Sequence, residues 1–147
     1  VHGTPADLIS PMDFATWQNW LFDDVELANP AISGPSSDPD GDGWSNFAEF
    51  ALGLAPQDSF DPSNLIRTTL ETVGAEIYFA IEFETWSGAS DVATSPQVSS
   101  DLTNWTDTGI EMNPSIDNDD GTITRKFRSA SPIGSIPREF IRLLFAR

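Results

Sequence analysis

The chain has 147 residues, with 23 acidic and 7 basic side chains, a formal charge of −16, 39% hydrophobic residues and no cysteine. That length holds one compact domain or two very small ones, and five Trp with ten Phe can build a core, which excludes wholesale disorder. The charge sets most of the surface against phosphate backbones and anionic lipids, and the lack of cysteine excludes a disulfide framework, a zinc-thiolate site and a thiol nucleophile, leaving metal binding to oxygen ligands.

Val1 to Ala6 show neither a basic flank nor an apolar signal core, and no stretch approaches the roughly 18 apolar residues of a membrane helix, so no membrane insertion and no nucleic-acid partner are expected. A start at Val rather than Met is expected of a processed mature protein or an excised fragment, and a removed export signal would explain it. From Ser10 to Ala28 the pattern predicts a helix, with Ser10 as N-cap before Pro11 and Asp13 in the first turn. Phe14, Trp17, Leu21 and Val25 recur at spacings of three and four and form one apolar stripe, with Trp17 and Trp20 read as core residues. Asn29-Pro30 ends this helix, and Ala31 to Ser37 reads as a Gly/Ser/Pro connector.

The connector leads into Asp38-Pro39-Asp40-Gly41-Asp42-Gly43-Trp44-Ser45-Asn46-Phe47-Ala48-Glu49. Aligned to a calcium loop of the EF-hand kind, Asp38, Asp40 and Asp42 fall at positions 1, 3 and 5, and Gly43 makes the sharp turn at 6. Trp44 offers its carbonyl at 7, Asn46 falls at 9, and Glu49 supplies the bidentate carboxylate at 12. Calcium takes six to eight oxygens at roughly 2.3–2.6 Å, and alternate side chains of a tight loop converge on one point. Four carboxylates so close together repel one another unless a cation neutralises them, whereas the smaller octahedral shell of magnesium suits so many ligands poorly. Asn46 to Leu52 reads as a second helix stopped by Gly53, and Leu54 to Asn64 as a linker.

From Leu65 onward the period changes to two. Ile77, Phe79, Ile81 and Phe83 alternate with Glu76, Tyr78, Ala80, Glu82 and Glu84, which predicts a half-buried strand with one wet face. Leu65–Thr72, Gln97–Ser100, Gly109–Met112, Thr122–Ala130 and Glu139–Phe145 complete six short strands. In the last of these, Phe140 and Leu144 share one face and Ile141, Leu143 and Phe145 the other, which predicts cover on both sides. The expected fold class is α+β: a helix, calcium loop and short helix in residues 1–64, packed on an antiparallel β-sandwich of the immunoglobulin or fibronectin III kind, incomplete in its strands, in residues 65–147.

The run Asp38 to Pro56 resembles the calcium loops of EF-hands, dockerins and thrombospondin type 3 repeats. More closely, the chain is similar to a C-terminal module of large secreted bacterial proteins. Phe14 to Trp17 stand for its Phe-x-x-Trp helix, Ala51-Leu52-Gly53-Leu54 for its helix end, Val98 to Trp105 for its Asp-Leu-x-x-Trp stretch and Arg142-Leu143 for its last strand. Ala55 stands where such modules often carry Asp, and there is one calcium loop rather than a tandem. The resemblance implies a non-catalytic module, an extracellular or cell-surface location and calcium-dependent folding.

Charge is uneven along the chain: residues 1–66 carry 11 acids and no base, residues 67–124 carry 11 acids and Arg67, and residues 125–147 carry six bases and Glu139. This fits two readings, basic strands beside acidic neighbours within one fold, or contact between the basic tail of one subunit and the acidic body of another. Other constellations are weak. Asp117-Asn118-Asp119-Asp120-Gly121 places its Gly at the wrong offset for a second calcium loop and reads as a hairpin turn. Glu82 and Glu84 on one strand do not flank a sugar from opposite sides, and His2 and Lys126 are the sole residues of their kinds. Asn104-Trp105-Thr106 matches the N-glycosylation triplet. No catalytic residues are expected, and Ca2+ is the expected cofactor. The expected role is a calcium-binding structural or protein–protein association module, self-assembling head to tail. The competing role is a carbohydrate-binding or anchoring module that would stack a glycan on Trp86, Trp105 and Tyr78.

Overall fold

The computed structural model describes residues 11–59, 65–107, 110–111 and 115–147, and has mixed α+β content with antiparallel sheets. The predicted first helix is two helices, and a third follows in the predicted connector. α1 (Phe14–Leu21) is capped by Asp13, whose carboxylate accepts the Thr16 amide at 2.8 Å, whereas Ser10 lies outside the described residues. The chain then leaves helical geometry at Phe22, because Asp23 and Glu26 form a reciprocal capping box that starts α2 (Asp24–Leu27). The break turns Phe22 into the core at 4% exposure and throws Val25, predicted on the apolar stripe, out to 79%. Asn29-Pro30 does not simply end a helix; Asn29 caps and Pro30 opens α3 (Pro30–Ser33), within the predicted connector.

α4 (Asn46–Leu52) follows the prediction and ends at Gly53 in the left-handed region, φ 74°. Phe14, Trp17, Phe22, Phe47, Phe50 and Trp86 form one buried aromatic cluster, which also takes in Phe145 from the last strand. The expected boundary between residues 64 and 65 adjoins undescribed residues 60–64, and chain on both sides of it contributes to this cluster.

The strands are β1 (Ile66–Val73), β2 (Glu76–Trp86), β3 (Ala93–Ser99), β4 (Ile110–Glu111), β5 (Ile116–Asp117), β6 (Thr122–Pro132) and β7 (Phe140–Ala146). One sheet runs β1-β2-β6-β4 with β5 also on β6, and a second pairs β3 with β7. β5 was not predicted, being two residues of a hairpin whose turn, Asp119 and Gly121 at positive φ, was. β3 begins at Ala93 rather than Gln97, with Pro96 inside it. Val98 exchanges both backbone bonds with Thr106, so alternate residues of β3, Pro96 included, turn their amide side away from β7 and the missing N–H breaks no rung of that ladder.

A smaller cluster of Ile81, Phe83 and Phe127 meets Ile66 from β1 and Ile141 and Leu143 from β7, joining the two sheets. The alternation of β2 holds from Ile81 to Phe83 but not before: Ile77 is 47% exposed, and Ala80, predicted wet, is fully buried. β7 is covered on one side, since Leu144 is 42% exposed while Ile141 and Leu143 face the sheet cluster.

Within-fold pairing accounts for much of the basic C-terminal segment. Lys126 Nζ lies 2.6 Å from Glu71 and 3.2 Å from Glu82, Arg147 reaches Asp91 at 3.2 Å, Arg142 donates twice to Gln97, and Arg128 covers the Tyr78 ring at 4.1 Å. Burial pulls the Glu82 carboxyl upward, but Lys126 and Arg67 outweigh it and hold its pKa below the ordinary value. Its stabilising contribution is therefore present above the ordinary glutamate range and lost as pH falls through the depressed value. Lys126→Met is expected to cost about 1 kcal/mol at neutral pH, with the deficit shrinking in acid; urea denaturation at pH 7 and pH 3.5 checks this.

Two glycines serve Trp86. A Cβ on Gly53 would sit 3.0 Å from the Trp86 Cβ in addition to the strain of its positive φ, and one on Gly88 would sit 2.2 Å from the indole Cζ2. Gly53→Ala is expected to cost about 1–2 kcal/mol, read as a lowered melting temperature.

Candidate metal centre

The loop between α3 and α4 holds itself open by carboxylate-to-amide bonds. Asp38 accepts the amides of Gly41 at 2.8 Å and Gly43 at 3.0 Å, Asp40 accepts that of Asp42 at 3.2 Å, and Asp42 accepts that of Trp44 at 2.8 Å. These bonds turn successive aspartates inward. Gly41 and Gly43 take φ of 75° and 97°, and added Cβ atoms would meet nothing within 4 Å, so glycine is required there by backbone conformation and not by space. Oxygens of Asp38, Asp40 and Asp42 lie within 4.8 Å of one another.

Ser45 caps α4, which places Glu49 in its first turn, beneath the loop. Glu49 is fully buried, and neither carboxylate oxygen has a hydrogen-bond partner; Asp40 Oδ2 is likewise buried and unpartnered. Burial first, then the charges of Asp40, Asp42 and Asp38, push the Glu49 pKa up from 4.5 to about 8. Burial also raises Asp40, with the neighbouring carboxylates adding to it. Asp38 moves the other way: burial pulls it up, but the amides of Gly43 and Gly41 outweigh that and leave it below its ordinary value. A buried carboxylate without a donor is costly, and a hard divalent cation is the partner whose chemistry matches four carboxylates and no nitrogen or sulfur donor.

Asn46 has a second use that spacing alone did not reveal. It is fully buried, its side-chain amide donates to the carbonyls of Ile32 at 2.7 Å and Gly34 at 2.8 Å, and its backbone amide donates to Ser37 at 2.8 Å. It thereby ties the end of α3 to the start of α4, and its Oδ1 is buried and unpartnered. Trp44 is half-buried, with its amide engaged by Asp42.

The aromatics of the carbohydrate reading are dispersed. Trp86 is 3% exposed inside the aromatic cluster, Tyr78 lies under Arg128, and Trp105 lies under Arg142 with its indole N–H on the Leu102 carbonyl. No helix among the described residues is long and apolar enough to cross a membrane. No family model, no curated protein and no solved structure matches the chain.

Proposed function

We propose that this chain is a calcium-binding, non-catalytic module that works outside the cell or at its surface in protein–protein association, with a second copy of itself as a partner. The observation that carries the calcium reading is Glu49, a fully buried carboxylate with both oxygens unpartnered beside three converging aspartates. Asp38, Asp40, Asp42 and Glu49 would supply carboxylate oxygens, Asn46 its side-chain oxygen and Trp44 its carbonyl. The ion would offset half of the loop's four negative charges and brace α4, which carries Phe47 and Phe50 of the aromatic cluster, against α3. The two sheets, joined at Ile81, Phe83 and Phe127, are read as an incomplete sandwich of the immunoglobulin or fibronectin III kind. The secreted location rests on the resemblance of the loop and its flanking motifs to modules of secreted bacterial proteins.

Titration with terbium(III) in place of calcium tests the site directly, because a tryptophan, Trp44, lies within the loop sequence and can sensitise a lanthanide bound there. Sensitised emission saturating at one ion per chain and displaced by excess calcium is the expected result. Emission that does not saturate, or that millimolar calcium fails to displace, would sink the assignment.

A further inference from the structure

Among the described residues, the long strands β1 and β7 each have an open edge, and the two edges differ in kind. In β7, the bonding of Val98 to Thr106 fixes the alternation, so Ile141, Leu143 and Phe145 turn their backbone N–H and C=O away from β3. That edge faces a groove of about 530 Å³, walled on its other side by the metal loop and α4 through Trp44 and Phe47, with Leu144 and Arg147 at its rim. In β1, the bond from the Glu84 amide to the Leu65 carbonyl fixes the alternation the other way, so Thr68, Leu70 and Thr72 present their backbone groups outward. Among the described residues neither edge has a strand beside it.

The β1 edge also carries apolar surface that the fold leaves bare. The second sheet has two strands, and its cover over the first reaches Ile81 and Ile66 but not the far end. There Leu70 is 62% exposed, Ile77 47% and Ile133 54%, with Ile133 held to Ile77 by a 2.7 Å backbone bond. An open strand edge beside a bare apolar patch is a liability unless something pairs with it. The patch lies at the Glu76 end of β2, whereas the groove lies by α4, which packs at the Trp86 end, so one molecule cannot satisfy both.

We propose that the β1 edge and apolar end of one copy dock in the β7 groove of the next, building head-to-tail chains. This rests on the association reading above in taking a second copy as the partner. The match is in backbone, surface and charge: three outward β1 residues against three outward β7 residues, Leu70 and Ile77 against half-buried Trp44 and exposed Leu144, and exposed Glu76 at the β1–β2 turn against Arg147 at the groove, whose 58% exposed side chain also reaches Asp91. Such a contact joins unlike surfaces and does not close on itself, so it propagates.

The test is sedimentation velocity with light scattering in millimolar calcium, on the wild type, an edge variant Leu70→Lys and a groove variant Leu144→Glu. Both substituted residues are exposed, and the melting temperature of each variant in calcium and in chelator reports its folding and the metal reading separately. The wild-type mass should grow with concentration beyond a dimer, each variant alone should remain at 16.0 kDa, and an equimolar mixture of the two should stop at a one-to-one dimer, because one intact edge meets one intact groove. Variants that assemble like the wild type, or a mixture that forms no dimer, would overturn the docking mode. A wild type that calcium stabilises but that stays monomeric would overturn docking and leave the calcium site standing. Assembly as described, without any calcium-induced stabilisation, would support docking and remove the calcium site.

Discussion

Glu49→Gln is expected to abolish the stabilisation that calcium confers and, with chelator at pH 9, to leave the protein more stable than the wild type. Both halves follow from one carboxylate. On the proposed calcium reading, calcium at about a hundredfold over its dissociation constant would add roughly 2.7 kcal/mol to the wild type, and removing the proposed bidentate ligand would remove most of that gain. Without calcium, the Glu49 pKa is raised from 4.5 to about 8 by burial and by the three aspartates. For an acid raised in this way the folded state favours the proton, so its contribution to stability is whole below the ordinary value and is lost as pH rises through about 8. The loss is of the order of a few kcal/mol, since a proton held tenfold more tightly by the folded state is worth about 1.4 kcal/mol. Gln has the same shape and no charge to strand. The calcium-free wild type should therefore lose stability between pH 5 and pH 9 while the variant stays nearly flat. Calcium should reverse the trend in the wild type, because the metal binds the deprotonated carboxylate and displaces its proton. Urea denaturation across that range, with calcium and with chelator, measures both halves. A wild type indifferent to pH in chelator would disprove the burial of an unpartnered carboxylate, and an unchanged calcium response in the variant would disprove its role as a ligand.

Trp86→Ala should be the most damaging substitution outside the loop, at about 3–5 kcal/mol, a large share of what a domain of this size commonly has. Trp86 ends β2, is 3% exposed and meets Phe50 of α4 edge to face at 5.7 Å. Gly53 and Gly88 are kept bare around it. Phe50 directly follows Glu49, so the indole also supports the helix turn that carries the buried carboxylate. Truncation is expected to weaken calcium affinity together with stability, whereas Trp86→Phe should retain most of both. Urea denaturation and calcium titration of the two variants separate this account from one in which Trp86 only fills space, where stability would fall and affinity would not.

The loop, α4 and most strands were legible because each is specified locally. A left-handed glycine, an alternating aspartate run or a period-two strand acts over a few residues, and local sterics and side-chain reach decide the outcome. The first helix misled because Asp23 is as good a cap as Asp13, and only the pull of Phe22 into the aromatic cluster decides between one helix and two. Ile77 misled because the pattern gives the face of a strand but not how far a neighbouring sheet extends over it, and Ala80 because a small side chain between Thr69 and Arg128 on the adjacent strands is covered even on the polar face.

By itself, then, the sequence determined the acidic loop and its left-handed glycines, the helix stop at Gly53, the α+β class and the bases available to pair with acids, since all of these depend on residue type and short spacing. Only the tertiary structure decided that Glu49 is buried without a partner, that Asn46 ties α3 to α4, that Trp86 lies within the core, and that among the described residues no strand lies against the outer edges of β1 and β7. Those properties are set by what distant segments place beside a residue, and exclusion of water or of a hydrogen-bond donor is a fact about surroundings that no local pattern encodes.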